Sequence, residues 1–172
     1  MKQTNTRRTA LLGMLFALAM VLSFLEGSLV PLLGLPPGVK LGLANVVVMY
    51  ALFFLGKADA GMLVVLKSAF SFFTRGASAG ALSLAGGVLS LLVMLLLRRM
   101  KHTPSLFILS VSGAIAHNFG QLLMLQVLFT QSVYTFYYAP VLLISGLVMG
   151  SITAVSLKAL IPALEKLNLK HY

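Results

Sequence analysis

Lys67, His117, Asn118 and Gln121 stand inside stretches otherwise made of apolar and small residues. An ionisable group at the centre of a membrane span costs about 2.5–3.5 kcal/mol on the insertion scale, so each needs a partner or a role. Lys67 lies midway along its apolar run. From there, snorkelling to the surface would take most of the side chain's reach, and ligand binding is the competing reading. His117 and Gln121 are four residues apart and share a helical face. Asn118 is offset from His117 by about 100° and is also a neighbour of Gln121. Three polar residues within five positions predict a polar cavity rather than a single interhelical hydrogen bond. No second His stands within an apolar run and the chain has no Cys, so no metal site is expected.

More donors lie close by in the sequence. Pro31, Pro36, Pro37 and Gly38 make a stiff, extended loop that begins near Glu26 and carries Lys40. Asn45 follows one turn into the next apolar run, and Arg75 ends the third. Three cations (Lys40, Lys67 and Arg75) with amide donors and one acid predict an anion-friendly pocket, suited to a carboxylate or a phosphate.

The elements that must position these residues follow from composition. The chain has 172 residues, 59% of them hydrophobic and 9% charged. A soluble domain carries roughly 25% charged residues, so this is an integral membrane protein. Apolar runs predict spans over about 9–25, 41–55, 60–73, 81–97, 105–129 and 139–161. The loops between them are short. The expected architecture is all-α, a compact bundle of six transmembrane helices forming a single domain over 1–172. Lys2, Arg7 and Arg8 precede the first run as in a signal peptide, but Ser23-Phe24-Leu25-Glu26 offers no small-x-small cleavage site. The first run is read as a retained helix.

Net charge of +10 would suggest nucleic acid in a soluble protein. Here it reads as topology. With the N-terminus inside, Lys2, Arg7, Arg8, Lys57, Arg98, Arg99, Lys101, Lys158, Lys166 and Lys170 all fall on the cytoplasmic side. Only Lys40 and Arg75 fall on outer loops. The expected location is the plasma membrane, multi-pass, with both termini cytoplasmic and no nucleic-acid partner.

Membrane helices pack through small residues that let backbones approach. Gly146, Gly150 and Ala154 form one such stripe, Ser112, Ala116 and Gly120 a second, and Ala81 with Ala85 a third. All three are read as packing within the bundle. Thr9, Gly13 and Ala17 make a smooth face on the first helix. That face suits docking of another subunit as well as internal packing.

Catalysis is argued against by the acids. Magnesium-dependent diphosphate chemistry needs several carboxylate oxygens, and the chain has only Glu26, Asp59 and Glu165, none close to another in sequence. GxxxxGKS/T and HExxH are absent. No enzyme activity and no cofactor are expected.

Val39-Lys40-Leu41-Gly42-Leu43-Ala44-Asn45 resembles the KLGLAN signature of the Gx transporter family. Ser83-Leu84-Ala85-Gly86-Gly87, the stretch Gly113-Ala114-Ile115-Ala116-His117-Asn118-Phe119-Gly120-Gln121, and Pro140-Val141-Leu142-Leu143-Ile144-Ser145-Gly146 fit its later motifs. The resemblance spans residues 9 to 155. Members are often labelled heptaprenyl diphosphate synthase component I, and they look like the substrate-binding S components of energy-coupling factor (ECF) transporters. That kinship implies a six-helix protein that captures a small ligand under the loop joining helices one and two. It also implies a transmembrane coupling protein and two cytoplasmic ATPases as partners. S components commonly meet the coupling protein through an AxxxA face on helix one; Gly13 and Ala17 match it as small-xxx-small.

Two function classes therefore stand side by side. One is a substrate-binding subunit for uptake of a small anionic or amphipathic molecule, with a link to isoprenoid or quinone metabolism. The other is a non-catalytic membrane subunit that anchors a soluble prenyl diphosphate synthase or a flavin- or quinone-linked electron-transfer assembly.

Overall fold

The computed structural model describes residues 2–29, 32, 34, 42–101, 104–128 and 139–166, and the regular structure among them is helical. Six helices follow in order: α1 (Lys2–Leu29), α2 (Asn45–Phe54), α3 (Lys57–Arg75), α4 (Ala77–Arg98), α5 (Leu106–Leu128) and α6 (Ala139–Lys166). Most of them run past the apolar stretches that predict them. The flanking polar residues of α1 and α3, from Lys2 and from Lys57, continue the helix although they leave the hydrophobic pattern.

Among the described residues, four segments are long and apolar enough to cross a membrane: Arg8–Leu29, Ala77–Arg98, Leu106–Leu128 and Ala139–Ala159. The chain is a membrane-embedded, all-helical protein. The third helix has 19 residues but carries Lys57, Asp59, Lys67 and Arg75. The second departs furthest from expectation. It begins at Asn45 rather than 41, because Gly42 turns the chain with φ of 98°, a backbone state that suits glycine. The Asn45 N–H donates to the Gly42 carbonyl at 2.8 Å and closes that turn. Ten residues at 1.5 Å each reach about 15 Å, half of a hydrocarbon core. The helix is enclosed by α1, α3 and α6. Val47, Val48, Met49, Tyr50, Ala51 and Leu52 are all buried, as befits a helix apolar on every side.

The tightest packing is α4 on α5, α5 on α6 and α3 on α4. Small residues set those distances. A Cβ on Gly150 would lie 2.6 Å from the Val111 Cα, and one on Gly120 would lie 2.7 Å from the Ala85 carbonyl oxygen. Both stripes therefore pack within the bundle. Between α3 and α4 the chain reverses at Gly76, with φ of 93°. Gly80 then faces Phe72 so closely that a Cβ would sit 2.7 Å from the Phe72 Cβ.

The two ends of the bundle carry different charges. At one end Arg8 grips Asp59 with two nitrogens, Nε to Oδ2 at 3.1 Å and Nη2 to Oδ1 at 2.7 Å. At the same end Arg98 donates to the Leu52 carbonyl at 2.8 Å and lies over the Phe53 ring. At the other end Arg75 donates to the Ser23 carbonyl. Arg8 and Arg98 thus lie at the end opposite Arg75.

Along α1 only one stripe is buried, formed by Leu15, Ala19, Ser23 and Glu26. Gly13 and Ala17 are exposed, since two residues are about 200° of helix. A Cβ on Gly13 would meet nothing within 4 Å.

Candidate functional site

The Gly42 turn brings two distant sequence motifs together. A Cβ on Gly42 would lie 2.9 Å from the Asn45 Nδ2 and 3.6 Å from the His117 Cδ2. Only a glycine lets the chain pass between these two side chains. Its N–H donates to the Glu26 Oε1, so the last turn of α1 holds the entry to α2.

Asn45, the first residue of α2, points its Oδ1 at α3, where it accepts a hydrogen bond from the Lys67 Nζ at 2.8 Å. Lys67 is 3% exposed. It does not snorkel: the ammonium is turned inward and bonded. Glu26, at 1% exposed, acts electrostatically on the same ammonium. The sequence places Glu26 at the start of the loop. The structure places it inside α1, in register with the buried stripe.

On α5, His117 Nε2 and Gln121 Nε2 are 2.8 Å apart. The amide nitrogen can only donate, so this contact makes Nε2 of the imidazole the acceptor. Gly86 on α4 makes room for the ring, since a Cβ there would stand 2.7 Å from both Cε1 and Nδ1. One helical turn before Lys67's neighbour Ser68, the Val64 carbonyl accepts the Ser68 hydroxyl at 2.8 Å, and Ser68 also lies 3.4 Å from the Ser83 hydroxyl.

The buried polar site thus joins Asn45, Lys67, His117 and Gln121 around Gly42, with Glu26 beside them. Two other predicted residues turn elsewhere. Asn118 sends its Nδ2 to α6, donating to the Leu142 carbonyl at 2.7 Å and the Ser145 hydroxyl at 3.0 Å. Arg75 is exposed and lies across α1, where a Cβ on Gly27 would collide with its guanidinium. Lys40 lies outside the described residues. The sequence reading counts Glu26 as the acid near the pocket but places it in the loop, and it leaves Gly42 and Gly86 off the site. For Glu26 the signal was present, as the fourth member of the spacing Leu15, Ala19, Ser23, Glu26. For the two glycines it lay only in the motifs that contain them.

One ammonium, one carboxylate, two primary amides and one imidazole offer donors and acceptors from α1, α2, α3 and α5.

Residues 15–160 match the family model described as heptaprenyl diphosphate synthase component I. The match covers most of the 172 residues, and the chain belongs to that family. No curated protein and no solved structure matches it.

Proposed function

We propose that this member of the heptaprenyl diphosphate synthase component I family is a membrane substrate-binding subunit, akin to an ECF S component. It serves uptake of a small molecule bearing a carboxylate or phosphate. The observation that carries this reading is the Lys67 ammonium. It is buried, bonded to Asn45 at 2.8 Å, and roofed by the turn that leads out of the loop between α1 and α2. Keeping an ion in that position costs several kcal/mol, and a transient anionic guest is a use that justifies the cost. An apolar groove of about 720 Å³ between α3, α4 and the end of α5, with Ser68 in its wall, suits an amphipathic ligand.

The subunit has no chemistry of its own in this reading. Of its three acids, Glu26 holds Gly42 and Asp59 holds Arg8 at the opposite end, so the two share no metal. It sits in the plasma membrane with both termini in the cytoplasm, six helices making one domain. A transmembrane coupling protein docks on the Gly13–Ala17 face of α1, and cytoplasmic ATPases drive release.

The family's description favours a second reading, in which the same α1 face anchors a soluble prenyl diphosphate synthase. Native mass spectrometry separates binding from anchoring. The wild-type protein purified from its membrane should carry a small acidic molecule, and Lys67→Met should lose it. Equal retention by both proteins would move the ligand away from Lys67, and no bound molecule in the wild type would favour the anchor.

A further inference from the structure

We infer that Glu26 sets the charge of what this site admits, barring diphosphates and admitting singly charged anions or zwitterions. The inference rests on the reading that Lys67 receives the ligand's anionic group.

A short relay connects the two ionised side chains. Glu26 Oε1 accepts the Gly42 N–H, and the Gly42 carbonyl accepts the Asn45 N–H at 2.8 Å. Asn45 Oδ1 then accepts from the Lys67 Nζ at 2.8 Å. Among the described residues, the buried ionised side chains are Glu26, Asp59 and Lys67. Asp59 is neutralised by Arg8 at the far end of the bundle. Counted over the described residues, Glu26 offsets the buried charge of Lys67 before any guest arrives.

That balance decides the guest. The cost of burying charge in a medium of low dielectric grows as the square of the net charge, by the Born relation. A monoanion brings the described site to minus one and a zwitterion leaves it neutral. A diphosphate brings it to minus two or beyond, which multiplies the cost by four at the least. Glu26 acts electrostatically on the Lys67 ammonium, so its field opposes each further negative charge brought there. An uncharged side chain of the same shape would leave Lys67 unbalanced, and the site would then welcome a dianion.

Inorganic pyrophosphate is the probe. Its affinity is measured by calorimetry, at physiological salt, on the full chain in nanodiscs for the wild type, Glu26→Gln, Lys67→Met and the double variant. The expected result is that Glu26→Gln binds pyrophosphate about ten-fold or more tightly than the wild type, the scale on which one near charge acts on another. The double variant should lose that gain. No gain in Glu26→Gln, including no binding by either protein, overturns the inference and leaves the Lys67 site standing. A gain that survives Lys67→Met overturns the assignment of Lys67 as the anion's partner. Melting temperatures of the same four proteins give a test that needs no ligand. Each single variant strands one buried charge, so the double should melt above both. A double variant no more stable than either single one would show that the two charges are not balanced against each other.

Discussion

Gly86→Ala offers a quantitative test of how α4 and α5 frame the imidazole. In a helix interior Ala is favoured over Gly by about 0.8–1.0 kcal/mol, so propensity alone predicts a more stable protein. The surroundings predict the reverse. The new methyl would stand 2.7 Å from His117 Cε1 and Nδ1 and 2.8 Å from the His117 carbonyl oxygen. That last contact is with backbone, so the ring cannot relieve it by rotating. Overpacking of this kind costs about 1–3 kcal/mol, and backbone involvement puts it near the top of the range. The net expectation is a loss of about 2 kcal/mol, or about 30-fold in the folded-to-unfolded ratio. Gly61→Ala is the control. Its methyl would meet only the Leu91 Cδ2, at 3.9 Å, so it should keep the propensity gain. Equilibrium unfolding of the purified variants in mixed micelles reads both. If Gly86→Ala proved as stable as Gly61→Ala, the close approach of α4 to His117 would be refuted.

Three further outcomes are expected. Asn118→Ala loses two bonds to α6 and should cost about 1 kcal/mol, the scale of interhelical hydrogen bonds in membranes. Retained-ligand mass should be unchanged in that variant, separating Asn118 from His117 and Gln121. Leucine at both Gly13 and Ala17 should leave the melting temperature unaltered, since that face is open, yet reduce co-purification of a coupling protein; intact co-purification would put the docking face elsewhere. Reporter fusions after Arg99 should read cytoplasmic and insertions at Gly76 external, and the opposite pattern would invert the topology.

The constellation was legible in the sequence as far as cost makes residues conspicuous. Lys67, Asn45, His117 and Gln121 stand out because apolar surroundings penalise them, and the structure brings all four to the Gly42 turn. Asn118 stands out for the same reason and goes elsewhere. Its offset from His117 was readable, but the neighbour that fills each face depends on how α6 lies against α5, and small-residue stripes say only that helices approach. Glu26 was legible as an acid near the pocket, but not as an interior group of α1. A lone acid after an apolar run reads as the end of a span, and only the closing of α1 onto the Gly42 turn makes it an interior group.

The second helix shows where hydropathy loses its meaning. Residues 41–55 read as a span because every side of the segment is apolar, yet a membrane crossing and a half-length helix walled in by neighbours share that composition. The difference lies in four residues. By turning at Gly42 and starting at Asn45, the chain begins a helix in the buried interior instead of at a surface. The N-cap residue Ala44 supplies no side-chain cap, and the positive end of the α2 dipole lies at Asn45, whose side-chain Oδ1 holds the Lys67 ammonium. A full-length span would place that helix end at the membrane surface, away from the middle of α3. Shortening α2 is therefore what lets one amide side chain, one lysine and one helix terminus meet at the same depth. The proposed anion-binding site, in a chain with so few polar residues, needs that economy of placement.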